Sequence, residues 1–303
     1  MAIEAIIAVF LDGVGLGDND ITRNPFAAPN GTPFLTASLG GNYLLRDTAG
    51  ISTDHATLVG LDATLGVEGL PQSGTGQTTI LTGKNAAAHL GRHDGPYPNA
   101  ALKSLLATES IFRKLQFAGK PVAFANAYPN RFLNRLTRGT ERLSANTRAA
   151  LSAELKLRNG DDLRNGTAVS ALLTNRYWRE WGYDVPLLDG SAAGVQLARL
   201  SHNFSLTFFE VWHTDVVGHK QNAADAAALI SLLDDFFAGI VGAVDLRRTL
   251  VLVISDHGNL EDLSTRKHTV APALCLAMGA GHEQILSLRS LVDIAPFVLA
   301  QLG

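Results

Sequence analysis

The sequence predicts an α/β fold: a three-layer sandwich around a mostly parallel central sheet, with a small, mainly helical insertion. Three observations carry that reading. Short apolar runs bounded by turn residues recur along the chain. None of these runs alternates apolar with polar, so both faces of each strand are expected to be buried. Between them lie stretches of helical periodicity, the alternation that builds parallel sheets.

The first strand is expected at Ala5–Leu11 (AIIAVFL), and further strands at Pro121–Ala127, Ser205–Trp212, Thr249–Ser255 and Ala273–Met278. Helical spacing runs over Leu102–Phe117, ahead of Gly119, and over Ala224–Val244. From Tyr128 to Leu188 the apolar runs stop and the residues become polar, Arg-rich and helix-prone. That segment reads as an insertion between two strands. The chain then divides into an α/β core, 1–127 and 189–303, and a cap-like insertion, 128–188. Two ordinary crossover helices with long loops are the plainer alternative.

Composition narrows the classes further. The chain has 303 residues, 46% hydrophobic and 17% charged, which excludes a disordered protein. The single cysteine, Cys275, cannot form an internal disulfide. A net charge of −3 gives no reason to expect nucleic acid as a partner. No stretch reads as a run of about 20 apolar residues, so no membrane span is expected. The N-terminus lacks the basic lead and small-residue cleavage site of a secretion signal, which gives the expectation of a cytoplasmic protein. Oligomeric state is left open.

Asp12 follows the first strand in FLDGVGLGD. Gly13 and Gly15 begin a dinucleotide fingerprint, but Asp18 stands where the third glycine belongs, so that reading fails. A carboxylate at the carboxyl end of a parallel strand still lies where open α/β sheets place their sites. Asp215 and His219 are four apart after the strand ending at Trp212, a spacing that puts both on one face of a helical turn. Asp256 and His257 follow the next strand and can share a site only if the chain turns there, as Gly258 permits. His268 precedes the last strand. Three Asp and three His suit divalent cations held by imidazole and carboxylate, with no thiolate available.

Ser73 opens an expected helix in PQSGTGQTTILTG. Free N–H groups at a helix start suit an anion or an alkoxide. A serine there also serves as a plain N-cap. Thr75 is the competing hydroxyl. His89 and His93, also four apart, read better as substrate-facing or surface groups than as metal ligands. Arg131, Arg135, Arg138, Arg142, Arg148 and Arg158 make the insertion basic. One or two of them, with Arg131, Arg138, Arg142 and His93 as the first candidates, are expected to read a phosphorylated or carboxylated substrate, a solvated helical face being the plainer reading of any single Arg. Trp178, Trp181 and Tyr183 are a pocket wall or the insertion's own core, and Glu261 is a candidate partner for a ligating histidine.

Taken together and in order, Asp12, Ser73, Asp215/His219, Asp256/His257 and His268 resemble the alkaline phosphatase superfamily of two-metal enzymes. The resemblance is to its metalloenzyme branch, which holds cofactor-independent phosphoglycerate mutase and phosphopentomutase. SDHGNLEDLS followed by HTVAP is similar to that branch's DHGN-x-E and HT-x-x-P segments, and TDVVGH to its D-x-x-G-H. The resemblance implies one metal held by Asp12, Asp256, His257 and the Ser73 oxygen, and another held by Asp215, His219 and His268. It also implies two divalent cations, Zn²⁺ or Mn²⁺ with Mg²⁺ also compatible, about 4 Å apart across a phosphoryl group. Ser73 would be the nucleophile and become a phosphoserine.

Two departures bear on the activity. The mutases carry a large second domain, whereas the interval here leaves room for a small cap, which makes water harder to exclude. Gln77 stands where the mutases tend to have His. Both favour a phosphate-ester hydrolase acting on a small phosphorylated molecule. A phosphomutase and a phosphodiesterase on the same site are the alternatives, and a non-catalytic metal-binding relative is the reading from another class. Sulfatases carry a C/S-x-P-x-R context that SGTGQ lacks.

Overall fold

A computed structural model describes residues 3–303. Six strands form one mixed sheet: β1 (Ala5–Leu11), β2 (Ala56–Leu61), β3 (Val122–Phe124), β4 (Leu206–Val211), β5 (Thr249–Ile254) and β6 (Ala273–Gly279). Their order is β2-β6-β5-β1-β4-β3. β1 sits at the centre and pairs in parallel with β4 and β5, Ile6 lying opposite both Leu206 and Leu250. β3 extends the parallel set beyond β4. Only β6 runs against the others, so β2, antiparallel to β6, points the same way as β1.

The unbroken apolar strands have the physical reason expected of them, since both faces are covered. Ile6, Ala8 and Phe10 face one core layer with Phe208, Leu252 and Ile80. Ile7, Val9 and Leu11 face the other, against Phe209, Val253, Leu197 and Phe236. Helices Ser73–Thr82, Ala100–Glu109 and Ile111–Phe117 lie on the first side, and Gly190–Ser201 and Ala223–Ala243 on the second.

Three expectations change in detail. β2 has no counterpart among the strands read from the sequence. The single helix read over Leu102–Phe117 is two, because Ser110 ends the first in an extended conformation and caps the second, accepting a hydrogen bond from Arg113 N–H. Ala223–Ala243 is, by length and composition, apolar enough to cross a bilayer. It packs on Gly190–Ser201 in the second core layer, and its buried Asp234 accepts from the N–H groups of Phe34 and Leu35 at 2.8 and 2.9 Å. Residues 128–188 hold four short helices, Asn130–Thr137, Ala145–Ser152, Gly160–Arg164 and Arg176–Glu180, joined by irregular chain. Bridges from Asn126 to Val169 and from Ala127 to Arg158 bind this segment to the end of β3.

The direction of β6 positions the site. The ends of β1, β2, β4 and β5 and the beginning of β6 all fall on one edge of the sheet, so four strand exits and one strand entry converge there.

Candidate metal centre

Every residue of the expected ligand set lies on that edge. Asp12 directly follows β1, its N–H bound to Val211 C=O at 3.0 Å. Asp215 and His219 sit four apart on helix His213–Lys220, with Asp215 Oδ2 3.2 Å from His219 Nε2. β5 ends at Ile254, and the chain turns so that Asp256 and His257 both enter the site. His268 arrives from the loop before β6, its Nε2 3.6 Å from Asp215 Oδ1.

Two groups form. Asp215, His219 and His268 hold their ligand atoms within 4.8 Å of one another. On the other side, His257 Nε2 is 3.4 Å from Asp12 Oδ1, 3.5 Å from Asp256 Oδ2 and 3.1 Å from Ser73 Oγ. Asp12 and His257 also bring ligand atoms within 4.8 Å of Asp215, so Asp215 belongs to both groups, where the resemblance implies it for one only. The imidazoles of His257 and His268 stack at 3.8 Å between the groups.

The surroundings fix the ligands' orientation. Nδ1 of His219 contacts Arg266 C=O at 2.6 Å and Nδ1 of His268 contacts Pro71 C=O at 2.7 Å. A carbonyl can only accept, so each Nδ1 carries a proton and each Nε2 is the nitrogen turned toward the centre. Asn259 Nδ2 donates to Asp215 Oδ1 at 2.7 Å, and Gln77 Nε2 donates to Asp12 Oδ2 at 3.3 Å. Glu261 serves the loops rather than a histidine: its carboxylate accepts from the N–H groups of Gly15 and Asn259 and from the Thr269 hydroxyl.

These residues fit divalent cations on the site's own terms. Burial, with mutual repulsion among Asp12, Asp256 and Asp215, pushes the carboxyls of Asp12 and Asp256 well above the usual range. Burial pulls His257 well down and lowers His268, leaving neutral imidazoles. Asp256 Oδ2 is buried with no hydrogen-bond partner. Three carboxylates and neutral imidazoles with converging lone pairs, one oxygen orphaned, are a donor set that a cation satisfies.

Ser73 is the first residue of helix Ser73–Thr82, and Gln72 is its cap. The Ser73 hydroxyl makes no capping bond and faces His257 and Asp12. Thr75 turns away, its hydroxyl donating to Gln72 C=O at 3.0 Å. Gly76 lets the helix close on the loop after β5, because a Cβ there would lie 2.8 Å from Asp256 Cβ and 2.9 Å from its carbonyl oxygen. Gln77, bound to Asp12, also accepts from Ala145 N–H at 3.2 Å and so links the centre to residues 128–188.

A cleft of about 460 Å³ opens from Asp12 and Ser73 toward that segment. Among the expected substrate residues, Arg142 lines it, and Arg131 stacks on Trp181 at 4.1 Å. Arg138 is exposed at the end of helix Asn130–Thr137, away from the cleft lining. His93 does not line the cleft either; its Nε2 contacts Thr64 C=O and Val67 C=O. Arg158 is structural, donating to Phe124 C=O and Thr167 C=O. Trp178 and Trp181 line the cleft, while Tyr183 packs edge-on against Trp178.

The sequence reading missed Glu210. This carboxyl lies on β4, is 3% exposed and lines the cleft beside Asp12. Asn146 Nδ2 donates to it at 3.0 Å and the Ser144 hydroxyl at 3.3 Å, and burial raises it to about 7. The signal was a lone carboxylate inside a strand expected to be covered on both faces.

Residues 192–303 match the Metalloenzyme superfamily. A stretch of 110 residues is 30% identical to the 2,3-bisphosphoglycerate-independent phosphoglycerate mutase of Legionella pneumophila (strain Lens), covering 34% of this chain and 21% of that protein. An enzyme of the same name from Methanosarcina acetivorans is 30% identical over 96 residues, 29% of this chain and 19% of its own length. The matched stretch thus spans about a fifth of these relatives. In fold, the chain is similar to the alkaline phosphatase from the Antarctic bacterium TAB5, with a TM-score of 0.58 and 16% identity over 99% of this chain and 98% of that one. It is likewise similar to the PH0037 protein from Pyrococcus horikoshii, with a TM-score of 0.56 and 11% identity over 100% and 98%.

Proposed function

We propose that this chain belongs to the alkaline phosphatase superfamily, whose metalloenzymes residues 192–303 match, and that it is a metal-dependent phosphate-ester hydrolase with Ser73 as nucleophile. The observation that carries the reading is the position of the Ser73 hydroxyl. It stands at a helix start, free of capping duty, 3.1 Å from His257 Nε2 and 3.5 Å from Asp12 Oδ1.

Asp12, Asp256 and His257 would hold one divalent cation and Asp215, His219 and His268 a second, with Zn²⁺, Mn²⁺ and Mg²⁺ all suited to these donors. When bound, such cations neutralise charge on a phosphoryl group and favour ionisation of a nearby hydroxyl. The protein's own groups then do the following. Helix Ser73–Thr82 presents the positive end of its dipole to the phosphoryl oxygens, its Thr75 N–H being taken up by Asp94 C=O. Ser73 Oγ gives up its proton to solvent and forms a bond to phosphorus as the bond from phosphorus to the alcohol oxygen breaks, and the alcohol leaves with a proton from solvent. Water then cleaves the phosphoserine, returning the serine and releasing phosphate. Asn259 and Gln77 keep Asp215 and Asp12 from turning during the cycle.

The likeness to mutases favours a second reading, in which the phosphoserine passes its phosphoryl group to another hydroxyl. Both are tested by following p-nitrophenol release from p-nitrophenyl phosphate in Mn²⁺- or Zn²⁺-loaded protein, beside interconversion of 3- and 2-phosphoglycerate. Metal-dependent release that is lost in Ser73→Ala supports the hydrolase. Interconversion without phosphate release supports the mutase. Equal turnover by Ser73→Ala overturns both.

A further inference from the structure

Besides the charged groups around Ser73 and Asp12, the cleft is lined by rings. Tyr97 and Trp212 come from the core side, and Tyr128, Phe132, Trp178 and Trp181 from residues 128–188. Tyr128 and Phe132 stack at 4.5 Å, and Trp178 and Trp181 lie 6.2 Å apart. Three of the six are open to solvent, Tyr97 at 43% and Trp181 and Trp212 at 42% each. Exposed rings gathered around one cleft mark a surface that gains from being covered.

The charges there point the same way. Outside the metal-ligand set, the described residues lining the cleft include one cation, Arg142, against two carboxylates, Glu141 and Glu210. Recognition of a substrate that carries a second acid group calls for additional Arg or Lys forks. Here Arg135 is engaged by Glu141, Arg131 lies over the Trp181 ring, and Glu210 stands buried in the cleft wall. Two carboxylates brought together away from water repel strongly.

On the hydrolase reading, we infer that the alcohol half of the substrate is uncharged and carries an aromatic ring, which lodges among these side chains, and that Glu210 rejects alcohols bearing a carboxylate. Trp181 and Trp212 supply affinity for the ring, and Glu210, held by Asn146 and Ser144, sets specificity.

The test must separate ring recognition from leaving-group chemistry, so it compares 2-phenylethyl phosphate with ethyl phosphate, whose departing alkoxides are of similar basicity. Metal-loaded protein is expected to show a kcat/KM at least tenfold higher for the phenylethyl ester and little turnover of 3-phosphoglycerate. In Trp181→Ala and Trp212→Ala the ratio between the two esters is expected to fall toward one. Glu210→Gln is expected to raise kcat/KM for 3-phosphoglycerate several-fold. A ratio near one in the parent protein, or a preference for 3-phosphoglycerate, overturns the inference. If no ester turns over, the hydrolase reading fails by itself, and calorimetric binding of 2-phenylethylphosphonate against ethylphosphonate still decides. Tenfold tighter binding of the former upholds ring recognition, and equal binding overturns it.

Discussion

The Ser73 hydroxyl oxygen lies 3.1 Å from Nε2 of His257, a fully buried imidazole that burial keeps neutral. Because Gln72 rather than Ser73 caps the helix, the serine has little structural duty. Ser73→Ala is therefore expected to lower kcat/KM by roughly a thousandfold or more and to change unfolding free energy by less than about 1 kcal/mol. Steady-state kinetics and urea denaturation of the same preparation check both. A large loss of stability with activity retained would make Ser73 a structural residue.

Asn259 donates to Asp215 Oδ1 at 2.7 Å and so orients a candidate ligand carboxylate that lies within 4.8 Å of the ligand atoms of both clusters. Groups that orient a ligand usually matter about 10–100-fold in metal affinity. Asn259→Ala is expected to weaken Zn²⁺ or Mn²⁺ binding by about that factor, measured by competition with a chromophoric chelator. Chelating the metal from the parent protein is expected to lower its Tm, because the folded state alone assembles these donors.

Glu210 titrates near 7 in the folded protein, against an ordinary 4.5. The folded state thus holds this proton more tightly than the unfolded chain does. Its stabilising contribution is complete below pH 4.5 and is lost as pH rises through 7, at a cost of ~3 kcal/mol. Glu210→Gln carries no charge at any pH. In metal-free protein its stability relative to the parent is expected to improve by about that amount between pH 4 and pH 8.5, as read from paired urea titrations. A gap that does not move with pH would show that Glu210 is not held in this way.

Gly76→Ala separates packing from propensity. In an open helix the change would stabilise by about 1 kcal/mol. Here the new methyl group meets Asp256 Cβ at 2.8 Å and its carbonyl oxygen at 2.9 Å. Crowding of this kind costs about 1–3 kcal/mol, so net destabilisation is expected, along with weaker metal binding as Asp256 is displaced. Denaturation and metal titration of the variant check the two effects.

The strands that could be read from the sequence are those whose burial on both faces leaves an unbroken apolar run, such as Ala5–Leu11 and Thr249–Ile254. β2 could not be read so, because Thr57 pairs with Ser52 and His282, and Gly60 interrupts the run. That glycine answers to a distant residue: a Cβ there would lie 2.7 Å from Pro272 Cβ. The ligand residues were legible because they stand at strand ends beside turns, where chemistry-bearing side chains are few. That His268 joins the others rests on the reversed β6, which a run of apolar letters does not reveal. Glu210 stayed hidden inside such a run, since its role depends on Asn146 and Ser144 reaching it from a separate segment.

Chain order also sets a timetable: Asp12 precedes the other candidate ligands, while His268 emerges only after β5 and the loop that follows it. During synthesis, no partial chain ending before His268 can assemble both ligand groups. Completion of the Asp215, His219 and His268 group thus waits on the last strand of the sheet, although Asp12, Ser73, Asp256 and His257 all stand in the chain before it.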